Sequence, residues 1–175
     1  MALGEELKFT VVALSATFFV VDPLANVPLF FSVTRNHTAD QRRGIAFRAA
    51  LAAWITLCVF AAAGGVIFQA FGISLGAFKI AGGIMLLLMS VDMMRAQTSP
   101  TKSTPEEQAE SSSRDDVAIV PLAIPMLAGP GAIATVMVLM SRAAWQPIST
   151  MSVFGAITVT CLAAWLMMRS AASAE

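Results

Sequence analysis

Asp22-Pro23-Leu24-Ala25-Asn26-Val27-Pro28 interrupts the first apolar stretch of the chain at membrane depth. Proline removes a backbone donor, and its ring clashes with the carbonyl one turn back. In hydrocarbon no water replaces the lost partner, so irregular backbone persists only where protein buries it or a wet cavity lines it. A second interruption, Pro121-Leu122-Ala123-Ile124-Pro125-Met126-Leu127-Ala128-Gly129-Pro130-Gly131, falls in the fourth apolar stretch. Paired breaks in corresponding halves of a chain are the sequence pattern of a ligand site between discontinuous membrane helices.

Composition agrees with a bilayer environment. Of 175 residues, 57% are hydrophobic and 13% charged, against a charged share of about 25% in soluble domains. Apolar runs at residues 9–33, 49–70, 71–94, 117–140 and 148–168 approach or exceed the roughly 20 residues that cross a bilayer core. The expected fold is an all-α polytopic membrane bundle of five spans. The first run is not read as a signal peptide, because Glu5 and Glu6 precede it against a single Lys8 and apolar residues resume at Leu29.

Lys and Arg concentrate on the cytoplasmic side of membrane proteins. The segments after spans one, three and five hold Arg35, Arg42, Arg43, Arg48, Arg95, Lys102, Arg114 and Arg169, whereas the opposite side holds Lys8 and Arg142. The N-terminus is therefore expected outside and the C-terminus in the cytoplasm. The formal net charge of zero, without a basic patch carrying interleaved aromatics, argues against nucleic acid as a partner.

Residues 97–116, rich in Ser, Thr, Pro and Glu, read as a flexible cytoplasmic linker. They separate a first three-helix repeat, 1–96, from a second repeat, 117–175, of two helices only. Three spans per half is an odd number, so the second repeat is expected to be inverted relative to the first.

The two breaks align in more than one register. Asp22-Pro23-Leu24-Ala25 matches Gly129-Pro130-Gly131-Ala132, and Pro23-Leu24-Ala25 also matches Pro121-Leu122-Ala123. The first is preferred, because each member then offers a cap followed by Pro at the first helical position, where a missing N–H is harmless. Half-helix starts carry partial positive charge suited to an anionic group; the competing reading is a pair of packed kinks. The substrate-binding set is Asp22, Pro23, Asn26, Pro28, Pro125, Gly129, Pro130 and Gly131.

Asp22 is either a ligand-coordinating carboxylate or a plain helix cap. Lys79, beside Gly82 and Gly83, is the candidate charge partner for Asp22, or a cation that snorkels or pairs structurally. Asn26 offers a donor and an acceptor at the break, for a zwitterionic ligand or for freed backbone groups. Thr34 and Thr135 are weaker candidates that are expected to bond back to their own helices. Small residues at Gly72, Gly76 and Ala77 to Ala81 predict close helix approach in span three. Cys58 and Cys161 lie inside spans without metal-ligand spacing, and no phosphate loop, zinc motif or nucleophile elbow occurs. No metal or cofactor is expected.

Three blocks then carry a resemblance. Asp22 to Pro28, Phe71-Gly72-Ile73-Ser74-Leu75-Gly76-Ala77-Phe78-Lys79-Ile80-Ala81-Gly82-Gly83, and Val120 to Pro125 running into Ala128-Gly129-Pro130-Gly131-Ala132-Ile133 resemble the signature stretches of the MarC family, in the same order. The resemblance implies a bacterial or archaeal multi-pass inner-membrane protein of six helices, built as two three-helix repeats. Some members of that family are described as neutral amino-acid transporters. Ala25 stands where the family pattern has Gly, and the five spans leave without a match the sixth helix that the resemblance implies, counterpart of the Gly72–Met94 block.

The expected activity is transport of a small solute by alternating access between the broken helices, with the lipid bilayer as partner and oligomerisation left open. One alternative is a non-transporting packing protein. A remote one is an intramembrane aspartyl protease using Asp22 and Asp92, which needs both carboxyls at contact distance.

Overall fold

A computed structural model describes residues 3–35, 37–94 and 127–172. Among them six helices follow in order: α1 (Leu3–Val21), α2 (Pro23–Val33), α3 (Ala39–Ala70), α4 (Leu75–Met94), α5 (Pro130–Ala143) and α6 (Pro147–Ala172). No strand occurs among the described residues, and the protein is an all-α membrane bundle. The linker at 97–116 and the break residues 121–126, Pro125 included, lie outside the described residues.

Together α1 and α2 form one interrupted apolar crossing, Gly4–Val33, of 30 residues. Ala39–Ala70 and Pro147–Ala172 are long and apolar enough to cross as well, while Gly76–Leu88 and Pro130–Ala143 are shorter apolar helices. Large apolar side chains point outward at Phe19, Val66, Ile80, Leu87 and Met151. In water such a surface would drive association, and in a bilayer it is the lipid-facing surface.

The third helix starts ten residues earlier than its apolar run. Thr38 and Gln41 close a reciprocal capping box, in which the Gln41 N–H donates to the Thr38 hydroxyl at 3.4 Å and the Thr38 N–H donates to Gln41 Oε1 at 2.9 Å. Two orphan donors are thereby satisfied, and the helix begins in polar sequence. Arg42, Arg43 and Arg48 thus sit on a helix, not in the loop expected from hydropathy, because hydropathy marks the apolar length and not the helix start. The helix ends before Gly72, whose φ of +63° reverses the chain.

Packing centres on α6, which lies against α1, α2, α3 and α5, while α4 docks on α5. Along α3 the buried face is Ala46, Ala49, Ala53, Leu57, Ala61 and Gly64, a helical spacing of small residues that lets backbones approach closely. Two polar ties cross the interfaces. Thr10 and Ser152 hydroxyls are 2.8 Å apart between α1 and α6, and Trp54 Nε1 donates to Thr158 Oγ1 at 3.0 Å between α3 and α6.

Close approach in α4 occurs elsewhere than expected. Gly72 is in the turn and Gly76 meets only the Ser74 hydroxyl, whereas a Cβ built on Gly82 would stand 2.9 Å from the Ala134 Cβ. An alanine Cβ cannot swing aside, so Gly82→Ala must push α4 off α5. We expect it to lower stability by about 1–3 kcal/mol, the cost of overpacking. Ala134→Gly in the same chain should recover part of that loss beyond additivity, read as a coupling energy from SDS unfolding in mixed micelles.

Candidate functional site

The first break is built around Asp22. Its N–H still donates to the Phe18 carbonyl at 2.9 Å, so the ladder of α1 runs to this residue. Its backbone then turns left-handed, φ 48° and ψ 70°, a region that Asp tolerates better than most residues. Pro23 follows at the first position of α2, and the Asp22 carboxylate accepts from the Ala25 N–H at 3.2 Å. Asp22 is thus a helix cap, with its side chain half-buried.

Asn26 closes the break from the next turn. Its Nδ2 donates to the carbonyls of Val21 at 2.8 Å and Asp22 at 3.0 Å. The side chain is buried, and Oδ1 has no hydrogen-bond partner among the described residues. The two carbonyl acceptors fix which amide atom is nitrogen, so the orphan is an acceptor. Pro28 interrupts α2 one turn further on and is exposed, lining a shallow groove with Leu24, Val27 and Met167, whereas Pro23 is buried.

The second break presents the start of α5. Gly129 is the N-cap, Pro130 takes the first helical position, and no side chain caps the helix among the described residues. Both described breaks therefore follow the cap-then-proline register. Gly129 and Gly131 are buried and Pro130 is exposed. A Cβ built on Gly131 would lie 3.6 Å from Val20 Cγ1 and 2.6 Å from Leu86 Cδ2. Val20 stands two residues before Asp22, so the fold brings the two interruptions side by side. The absence of a side chain at Gly131 permits that approach.

The two helix starts differ in electrostatics. At α2 the Asp22 carboxylate already occupies the positive end of the dipole, while the α5 start has no side-chain cap among the described residues. The dipole at the second start is thus of the sign that attracts an anion, and the carboxylate at the first is of the sign that attracts a cation or donor.

Lys79 is not drawn into this pair. The contacts Gly82 to Ala134 and Leu86 to Gly131 make α4 antiparallel to α5. Lys79 lies seven residues from Leu86, an axial distance of about 10 Å at 1.5 Å per residue. Asp22 and Lys79 form no ion pair with each other; instead Lys79 lines a separate cleft between α1, α4 and α5. Asp92 lies beyond Leu86 on α4, and its side chain is outside the described residues. Thr34 and Thr135 bond back to Phe30 and Gly131 carbonyls, at 2.6 and 2.9 Å, as hydroxyls in apolar helices do.

One buried charge, at the far end of α2 from Asp22, has no signal in the sequence. Arg42 is buried, and its guanidinium donates to the Thr34 carbonyl at 3.1 Å and the Arg35 carbonyl at 3.3 Å while lying 5.7 Å from the Phe31 ring centre. It places positive charge at the C-terminal end of α2, where the dipole is negative. Its position in a basic run hides its burial.

The chain is similar in sequence to known membrane proteins. Residues 7–174 match the family described as MarC family integral membrane protein. A UPF0056 membrane protein of Methanocaldococcus jannaschii is 38% identical over 78% of this chain and 60% of its own length. UPF0056 membrane protein YvbG of Bacillus subtilis is 38% identical, over 74% of this chain and 62% of its own. UPF0056 membrane protein YhcE of Escherichia coli is 35% identical, over 88% and 71%. The chain thus spans about three-fifths to seven-tenths of the length of these relatives. No solved structure matches.

Proposed function

The chain belongs to the MarC family of integral membrane proteins, and from that premise we propose that it transports a small zwitterionic solute, of neutral amino-acid type, by alternating access between its two broken helices. The observation that carries this reading is the juxtaposition of two unlike helix starts, Asp22-Pro23 capped by its carboxylate and Gly129-Pro130 without a side-chain cap among the described residues. The α5 N-terminus suits a carboxylate, and the Asp22 carboxylate with the unpartnered Asn26 Oδ1 suits an ammonium group. Breaks of this kind at the midplane allow one packed half to rock against the other and expose the site to each side in turn. The excess of Lys and Arg after the first, third and fifth spans supports an external N-terminus and a cytoplasmic C-terminus in the cell inner membrane.

The test is uptake or exchange of radiolabelled glycine, alanine and serine by proteoliposomes, run with this chain and with the longer Bacillus relative in parallel. Accumulation above protein-free vesicles, lost in Asp22→Ala, is the expected result. No flux of any of the three amino acids by either protein would sink the proposed substrate class.

A further inference from the structure

A cleft of about 290 Å³ opens between α1, α4 and α5, and its lining runs from Arg142 to Leu86, the residue that packs on Gly131 of the second break. Its walls include Val12 and Ala16 of α1, Lys79 and Gly83 of α4, and Thr135 and Arg142 of α5. The antiparallel register set by Gly82 against Ala134 runs Lys79 past Val138, one turn from Arg142. That turn is about 6 Å of rise, so both long side chains reach the same space. Two cations and the Thr135 residue share the cleft, and no carboxylate lines it among the described residues. Among those residues, neither Lys79 nor Arg142 has an ion pair or a side-chain hydrogen bond.

An unpaired cation facing hydrocarbon is costly, so such groups face water, an anion or each other's ligand. Two converging cations repel unless an anion lies between them. The cleft is open at Gly83, where a Cβ would meet nothing within 4 Å.

We propose that the Lys79–Arg142 cleft binds an oxyanion, a phosphate or carboxylate, held as a charge-assisted contact by the two side chains. The source is either a lipid head group or a free anion. Binding is an equilibrium property of this cleft and is measured without any transport readout.

The experiment places the full chain in phosphatidylcholine nanodiscs and follows its apparent Tm. Sodium phosphate and sodium acetate are titrated against sodium chloride of equal ionic strength, and a parallel series introduces phosphatidylglycerol into the disc. The expected result is a saturable rise in Tm in one of these series beyond the chloride control or, for the lipid, beyond pure phosphatidylcholine. A response to the salts alone identifies a free anion, and a response to the lipid identifies a head group. Lys79→Gln with Arg142→Gln should weaken the apparent affinity at least about tenfold, which is 1.4 kcal/mol. Gly83→Leu should do the same by filling the cleft with both charges retained, and Lys79→Arg should preserve binding. Absence of any specific rise, or a rise retained by the double glutamine variant or by Gly83→Leu, overturns the proposal.

Discussion

Asn26→Ala is expected to destabilise the protein by about 1–3 kcal/mol, because it strips the buried Val21 carbonyl of its side-chain donor and leaves the Asp22 carbonyl with the Asn26 N–H alone, at 3.3 Å. The bonds lost are those from Nδ2 to Val21 and Asp22. Removing the unpartnered Oδ1 returns a little of the cost, so the net loss should stay near the low end unless the break itself unwinds. Unfolding by SDS in mixed micelles measures the difference. Asn26→Asp provides the internal comparison: it keeps the size but loses the donors and adds charge, so it should be at least as damaging as alanine. A wild-type midpoint in both variants would show that the carbonyls find other donors.

The second large effect is expected at Arg42. Arg42→Ala removes two charge-assisted bonds to the carbonyls of Thr34 and Arg35, together with the stacking on Phe31. Charge-assisted bonds contribute about 1.5–3 kcal/mol each, and the pair shares one side-chain ordering cost, so a loss of about 3 kcal/mol is expected. Arg42→Lys should recover only part of it, since an ammonium lacks the planar fork that spans two carbonyls. The same unfolding assay checks both, and equal stability of the Arg42→Lys variant and the wild-type protein would reduce the role of Arg42 to its charge alone.

Much of the site was legible in the residues. Pro23 after Asp22 and Pro130 after Gly129 announce helix starts from elementary backbone chemistry, and each occupies the first helical position in the structure. Thr34 and Thr135 return to their own helices for the same local reason. Lys79 was harder to place, because the sequence carries no record of which helix α4 runs beside or in what direction. Gly82, not the earlier glycines, makes the close contact since α5 meets α4 at Ala134. Arg42 looked like one of several loop cations, and its burial depends on the turn that folds α3 back over the end of α2.

By itself, the sequence determined what is decided within a few residues or by bulk composition: an all-α membrane protein, its apolar lengths, and two interruptions with caps. Proline's missing donor and the cost of unpaired peptide groups in lipid act locally, so they are readable without a fold. Tertiary structure alone decided that Val20 meets Gly131, that Lys79 joins Arg142 and not Asp22, and that Asn26 is left with one buried acceptor. Those outcomes depend on helix direction and register, which follow from how small residues on separate helices fit together.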